Sequence, residues 1–146
     1  MGFSVSGAAA LIFLSLFIAF GALYTATDNS FQQVTDAQDD RTDRALETKN
    51  TALELSSAVY DTGADELTVT ANNTGATTLS LNATSLLIDN SFQTNWEANA
   101  SVDGNGETDL WLPGETVTIT LNTTSQPASV SLTAPSGISA SAEVTT

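Results

Sequence analysis

Composition limits what this 146-residue chain does: it has 17 Asp and Glu against three Lys and Arg, and a net charge of −14. Nucleic acid and anionic lipid headgroups are excluded as binding surfaces, because both are bound through clustered Lys and Arg. His and Cys are absent, which removes Ser–His and Cys–His pairs, imidazole and thiolate metal sites, and disulfides. We therefore predict a protein without enzymatic activity or cofactor, with room for one small domain besides a membrane segment.

The charge balance also indicates the salt concentration in which the protein works. An acidic surface with almost no Lys stays soluble in concentrated salt, because salt screens the repulsion among its carboxylates. This composition is typical of a halophilic protein, and an ordinary acidic secreted protein is the alternative.

The first element is an apolar helix over residues 7–26, a run without Asp, Glu, Lys or Arg. At 1.5 Å per residue it covers roughly 30 Å, the thickness of the hydrocarbon core. We predict that residues 1–27 form a single-pass membrane anchor. Two alternatives stay open. One is a secretory signal cleaved near Ala19-Phe20-Gly21, although residues 1–6 lack a basic start. The other is a pilin-type leader whose helix packs inside a filament, although the basic residue of its processing site is missing.

Side-chain size differs between two faces of this helix. At about 100° per residue, small side chains including Ser15, Ala19 and Ala22 share one face, and Phe13 and Phe17 lie on the opposite face. Helices associate in lipid where small residues let backbones approach closely. We predict that Ser15, Ala19 and Ala22 pack against a second copy or a partner's anchor helix; an incidental run of small residues is the alternative.

Residues 28–60 follow as an acidic segment without Pro or Gly. The absence of these helix breakers favours a helix that continues out of the membrane. We predict a helical stalk over residues 28–60 that breaks at residues 60–63. It contains all three basic residues of the chain, Arg41, Arg44 and Lys49.

Residues 61–146 alternate between apolar and polar side chains, and a period of two predicts β-strands. Leu67, Val69 and Ala71 are one example, and Val117 and Ile119 belong to another. Further strands are predicted near residues 78–81, 85–88, 92–96, 129–132 and 138–144, separated by turns rich in Gly, Pro and Asn. About seven or eight short strands at this spacing predict an immunoglobulin-like β-sandwich.

Two further patterns lie in the sandwich. Four N-x-Ser/Thr sequons indicate glycosylation and a domain outside the cell; they begin at Asn72, Asn82, Asn99 and Asn122. Oxygen-bearing side chains at alternate positions are typical of the start of a calcium loop; they are Asp103, Asn105, Glu107 and Asp109. Thr108 and Gly114 depart from the full calcium signature, so a metal-free acidic hairpin is the alternative.

The two tryptophans of the sandwich, Trp96 and Trp111, have two possible roles. They either stack on sugar rings or pack in the core.

Four stretches together resemble the archaellum accessory protein F family of haloarchaea, over most of the chain. They are the N-terminal MGFSVSGAAALIFLSLFIAFGALYTATDNS and, in the sandwich, LTVTANNTGATTLSL, WLPGETVTITL and APSGISASAEV. The resemblance implies a membrane-anchored protein of the archaeal swimming motor, with the sandwich outside. It implies binding to the surface-layer protein, to accessory protein G and to a membrane component of the motor, with the lipid bilayer around the anchor. It implies no catalytic residues.

The alternative function is a structural filament subunit, either an archaellin or a pilin, because archaellins share an apolar helix and a similar sandwich.

Two arguments about the orientation of the protein in the membrane point in opposite directions. Lys and Arg cluster after the helix, and the positive-inside rule would place that side in the cytoplasm. The sequons and the resemblance favour the outside. We predict a single-pass protein of the cell membrane with its C-terminal domain in the archaeal envelope, as a monomer or homo-oligomer.

Overall fold

The computed structural model describes residues 2–146, with side chains from Val5 onward. One α-helix, α1, spans Gly2–Asn50. Its apolar part is long and apolar enough to cross a membrane, with a mean hydropathy of 2.2 and no part of that window buried. The predicted apolar helix over residues 7–26 is confirmed. Because α1 runs through residue 27 without a break, the boundary between anchor and stalk at that residue stays a prediction.

Ten β-strands follow in residues 53–143, all in antiparallel pairs. Their bounds are β1 Leu53–Asp61, β2 Glu66–Asn73, β3 Leu79–Ser80, β4 Ser85–Ile88, β5 Ser91–Phe92, β6 Ala100–Val102, β7 Leu110–Trp111, β8 Thr116–Asn122, β9 Ser129–Thr133 and β10 Ser139–Glu143. A 3₁₀-helix spans Trp96–Asn99 between β5 and β6. A long apolar helix followed by an all-β domain is the predicted fold class, and it is confirmed.

The strands form two four-stranded sheets and one short pair. The first sheet has the order β1-β2-β8-β6, the second has the order β10-β9-β4-β5, and β3 pairs with β7. The C-terminus connects the two sheets, because Thr145 follows β10 and pairs in parallel with Val59 of β1. The Tyr60 N–H donates to Thr145 O at 2.8 Å, and the Thr145 N–H donates to Ala58 O at 2.9 Å.

The core lies between the sheets and consists of the inward residues of the alternating strands. Burying apolar side chains stabilises the fold by about 25 cal/mol per Å² of area removed from water. The largest fully buried members are Trp96, Trp111, Leu67, Leu86, Ile119, Leu132, Val69, Val117 and Val130. The period-two prediction therefore identified the core face of β2, β8 and β9.

The stalk prediction is wrong over residues 53–60, where the structure has β1 in place of a helix. The pairing of β1 with β2 shifts between Leu55 and Ser57, so a β-bulge adds a residue at that point. Inward residues are then Leu53 and Leu55 before the bulge and Ala58 and Tyr60 after it. This spacing hides the period of two that would have indicated a strand.

The predicted strand over residues 92–96 is also shorter in the structure. Asp89 and Asn90 have positive φ angles of 47° and 62° and turn β4 into β5, which ends at Phe92. Asn95, with a φ of 59°, then starts the 3₁₀-helix. Strands β6 and β7, of three and two residues, were not predicted.

Candidate functional site

The apolar part of α1 presents large side chains over most of its circumference. Exposed fractions run from 47% for Leu16 to 76% for Phe17 and Tyr24. None of the apolar window of this helix is buried within the part of the chain that the structure describes. Such a surface requires lipid or other apolar helices around it.

The predicted packing face lies on this helix. The Ser15 hydroxyl donates to Leu11 O at 2.8 Å, four residues earlier, so its proton is used within the helix and does not bridge to a neighbour. Ala19 and Ala22 are exposed and leave the backbone open to close approach. The packing role of Ser15, Ala19 and Ala22 stays a prediction.

The loop proposed for calcium begins with a tight hairpin turn. Asp103 and Gly104 have φ angles of 48° and 84°, and Val102 and Asn105 exchange backbone hydrogen bonds of 2.9 and 2.8 Å around them. Two central residues with positive φ define a type I′ turn, which Asp-Gly favours. Asp103 Oδ1 accepts the Thr116 N–H at 3.0 Å, so its carboxylate fastens the hairpin to β8.

Asp109 ties the other end of the loop to the turn after β3. Its Oδ1 accepts the Asn82 N–H at 2.8 Å, and its Oδ2 accepts the Ser80 hydroxyl at 2.7 Å. The hydrogen bond from Asn82, followed by that from Ser80, lowers the pKa of Asp109 below its ordinary value. Both oxygens are therefore engaged by the protein itself.

These bonds favour the acidic hairpin over the calcium loop. Asn105 Oδ1 accepts the Glu107 N–H at 3.0 Å and caps its own turn. Glu107 and Asp109 line a shallow cleft together with Glu97 and Asn82. Within the described residues 2–146, however, no three His, Cys, Asp or Glu side chains are placed to hold a metal ion.

The four sequon asparagines differ in accessibility. Asn82, Asn99 and Asn122 are exposed, whereas Asn72 is half-buried on β2. The Asn72 Nδ2 donates to Ser56 Oγ at 3.0 Å, and its Oδ1 accepts the Thr116 hydroxyl at 2.8 Å. The Asn72 side chain thus lies between β1 and β8 within the sheet, where a glycan would break these bonds.

Both tryptophans belong to the core. Trp96 is 1% exposed and Trp111 is 0% exposed, so neither presents a ring face to a sugar, and the core-packing interpretation is confirmed. The Trp111 Nε1–H donates to Glu115 O at 2.8 Å.

Sequence reasoning predicted a turn at residues 72–75 but missed what the loop over residues 73–77 contacts. Asn73 is fully buried, and its Nδ2 donates to Thr77 O at 2.8 Å and to Trp111 O at 3.0 Å. The loop's backbone N–H groups donate to the carbonyl oxygens of Asn50, the last residue of α1, and of Ala52, two residues further on. The sequence Asn72-Asn73-Thr74-Gly75 predicted a turn, but no sequence feature predicted that this turn contacts the end of α1.

An apolar helix of membrane-spanning length that carries a small β-sandwich defines a class containing both anchored and filament-forming surface proteins. The family model for archaeal-type flagellin matches residues 2–144. The chain therefore belongs to the archaeal-type flagellin family and is an archaellum-related protein. No curated protein matches its sequence.

Solved structures with a similar fold include two from the archaellum of Sulfolobus acidocaldarius. The periplasmic stator protein FlaG is 18% identical, with a TM-score of 0.39, and the match covers 63% of this chain and 97% of that one. The stator complex of FlaF and FlaG is also 18% identical, with a TM-score of 0.42 and coverages of 62% and 85%. The ligand-binding region of Serine-glutamate repeat protein A of Enterococcus faecium is 16% identical, with a TM-score of 0.33 and coverages of 64% and 89%. At these identities the likeness concerns the fold alone.

Proposed function

We propose that this protein is a membrane-anchored accessory protein of the archaellum. Its sandwich lies outside the cell membrane, binds the surface layer and holds the motor's static part in place. Its partners are then the surface-layer protein, an accessory protein G and a membrane component of the motor, with lipid around the apolar part of α1. Family membership supports a role in the archaellum, and the residues of α1 favour the anchored over the filament-forming kind.

The observation that carries this proposal is the change in α1 after residue 26. Large apolar side chains are frequent up to Tyr24, whereas in residues 27–50 the exposed ones are Phe31, Val34 and Leu46. Residues 28–50 instead hold six Asp or Glu and three Lys or Arg. Lipid suits the first part of the helix and water suits the second, as expected for an anchor with a solvated stalk.

The alternative is a filament subunit, an archaellin or a pilin, and the family's description as flagellin is the observation that favours it. A filament subunit buries its helix among identical copies. Residues 28–50 would then bring six carboxylates per chain together with only three basic groups. Buried charges without partners are strongly destabilising, so this segment argues against burial among copies.

Intact mass of the native protein tests the proposal against this alternative. Membranes and mechanically sheared filaments are prepared from the same cells, and the chain is located and weighed in each. We expect it in the membrane fraction with residues 2–26 retained. A chain that has lost its leader and is recovered in the sheared filaments would show that the protein is a filament subunit.

Trypsin added to intact cells tests the orientation. The chain's three basic residues all lie in α1, and residues 50–146 contain none. Cleavage after Lys49 therefore releases the sandwich as one unbroken fragment if the domain is outside. The triple variant R41Q/R44Q/K49Q is the matched control, because it removes the cleavage sites and leaves the sandwich unchanged. Release only after the cells are lysed would reverse the proposed topology.

A further inference from the structure

The four sequons differ in more than the exposure of their asparagines. A transferase that modifies Asn-x-Ser/Thr reads two side chains, because the motif requires Ser or Thr two positions after the Asn. Both side chains must therefore be accessible at the same time. Asn72 already fails this condition, because both polar atoms of its side chain are hydrogen-bonded within the sheet. The third residues of the four sequons are Thr74, Thr84, Ser101 and Thr124.

The sequon at Asn82 is folded into the turn after β3, and its third residue is buried. Thr84 is 3% exposed. Its hydroxyl donates to Ser80 O at 2.8 Å, and its N–H donates to Leu81 O at 3.0 Å. An enzyme therefore reaches Thr84 only when this turn opens and both hydrogen bonds break.

The sequon at Asn99 runs into a strand. Asn99 is the last residue of the 3₁₀-helix, Ala100 is 6% exposed, and Ser101 is half-buried on β6. Ala100 pairs with Ile119 of β8, and Ser101 pairs with Thr118 of the same strand. Presenting this sequon to an enzyme therefore requires β6 to separate from β8.

The sequon at Asn122 is accessible at both positions that the enzyme reads. Asn122 and Thr124 are exposed, and neither side chain forms a hydrogen bond within the part of the chain that the structure describes. Asn122 is the last residue of β8, so Thr124 lies in the loop that leads to β9. Between them the Thr123 N–H donates to Asp65 O at 2.9 Å, which holds the start of this loop against the turn after β1.

Within the unit Arg44–Thr146, Asn122 lies at the end of the sandwich away from α1. Its register partner is Glu66, the first residue of β2. Asn73 is the last residue of β2, and the loop that follows it bonds to the carbonyl of Asn50. The eight residues of β2 separate these two ends by roughly 23 Å. A glycan on Asn122 therefore projects from the end of the domain opposite to the point where the chain leaves α1.

We infer that Asn122 is the residue that accepts a glycan in the folded protein, and that Asn82 and Asn99 accept one only before the sandwich folds or when it opens. In the transfer, Asn122 Nδ2 forms a bond to the anomeric carbon of the sugar and loses one proton. The bond from that carbon to a phosphate oxygen of the donor breaks, and the phosphate leaves with its electron pair. The co-substrate is therefore a sugar carried on a phosphate. The inference rests on the proposed position of the sandwich outside the cell membrane.

Glycopeptide mapping of the chain from native cells tests this inference by measuring occupancy at each sequon. We expect occupancy at Asn82 and at Asn99 to be about tenfold lower than at Asn122, because each of these two sites requires a local opening of the domain. Thr124→Val and Thr123→Val are a matched pair, since both replace a hydroxyl by a methyl group and only the first destroys the sequon. The sugar on Asn122 should be lost in Thr124→Val and retained in Thr123→Val. Equal occupancy at the three asparagines, or no sugar on Asn122, would overturn the inference.

A weakened fold provides a second test. Leu132→Ala removes a fully buried side chain of β9 that lies outside all four sequons, so the sandwich opens more often. Occupancy at Asn82 and Asn99 should rise severalfold, whereas occupancy at Asn122 should not change. Ser141→Ala, at an exposed position of β10, is the control and should match the parent. Unchanged occupancy at Asn82 and Asn99 in Leu132→Ala would show that folding does not protect them. If Leu132→Ala does not accumulate in cells, the parent chain alone decides.

Trypsin treatment of intact cells distinguishes failure of this inference from failure of the proposed orientation. A sandwich that trypsin releases from intact cells without sugar on Asn122 would overturn the inference and leave the orientation standing. A sandwich released only after lysis would overturn both.

Discussion

Replacing Gly75 by Ala tests how the end of α1 is held within the unit Arg44–Thr146. The last carbonyls of a helix have no partners inside the helix. In this protein the loop after β2 supplies partners for the last carbonyl of α1, that of Asn50, and for that of Ala52 two residues further on. Asn50 O accepts the N–H groups of Ala76 at 2.7 Å and Thr77 at 3.2 Å, and Ala52 O accepts those of Thr74 and Gly75, both at 3.0 Å.

A methyl group at Gly75 does not fit against this backbone. Its Cβ would lie 2.5 Å from both Ala52 N and Asn50 O, so the loop must move by roughly 1 Å to restore ordinary contact, stretching the four hydrogen bonds. Each such bond contributes about 0.5–1.5 kcal/mol net. We expect Gly75→Ala to lower the free energy of unfolding by about 2–4 kcal/mol, and the melting temperature by roughly 10–20 °C for a domain of about 100 residues.

Circular dichroism during heating of the purified full chain in detergent measures this change. Gly106→Ala is the matched control, because its Cβ would lie 3.7 Å from its nearest neighbour, Ala100 O. We expect the control to melt within a few degrees of the parent, since a substitution without close contacts costs about 0.5 kcal/mol or less. Equal melting temperatures for Gly75→Ala and Gly106→Ala would refute the reasoning.

Other predictions test the buried amide, the low-pKa carboxylate, the helix face and the sequons. Asn73→Ala should lower the free energy of unfolding by about 2–3 kcal/mol in the same melts, since it removes the hydrogen-bond donor from the buried Trp111 O and the part-buried Thr77 O; an unchanged melt would contradict this. Hydrogen bonds lower the pKa of Asp109, so its contribution to stability is present above the ordinary carboxyl pKa and is lost as pH falls through the lower folded value. Between about pH 6 and pH 3 the parent should lose more stability than Asp109→Asn, and equal losses would disprove the linkage. In native membranes, the double change of Ala19 and Ala22 to Leu should reduce crosslinking between anchor helices while Phe17→Leu does not; equal yields would show that the small face is incidental. Glycopeptide mapping should find sugar only on the exposed sequon asparagines, Asn82, Asn99 and Asn122, and sugar on Asn72 would contradict the accessibility argument.

Local periodicity made much of the fold predictable. The run over residues 7–26 has no charge that would end a membrane helix, and the alternation in β2, β8 and β9 continues over enough residues to show a period of two. β1 was missed because its bulge interrupts that period. The hairpin at Asp103 illustrates the same limit for the candidate site: alternate oxygen side chains have the same spacing whether they bind a cation or backbone N–H groups.

The sequence by itself determined the apolar helix, the all-β domain after it and the absence of His and Cys, because these follow from composition and from the order of neighbouring residues. Only the tertiary structure decided which groups meet across long separations. Asp109 reaches the turn after β3, Asn73 reaches Trp111, and the loop at Gly75 reaches the carbonyls that end α1. These contacts depend on how the strands pair, and pairing brings together residues whose separation along the chain carries no local signal.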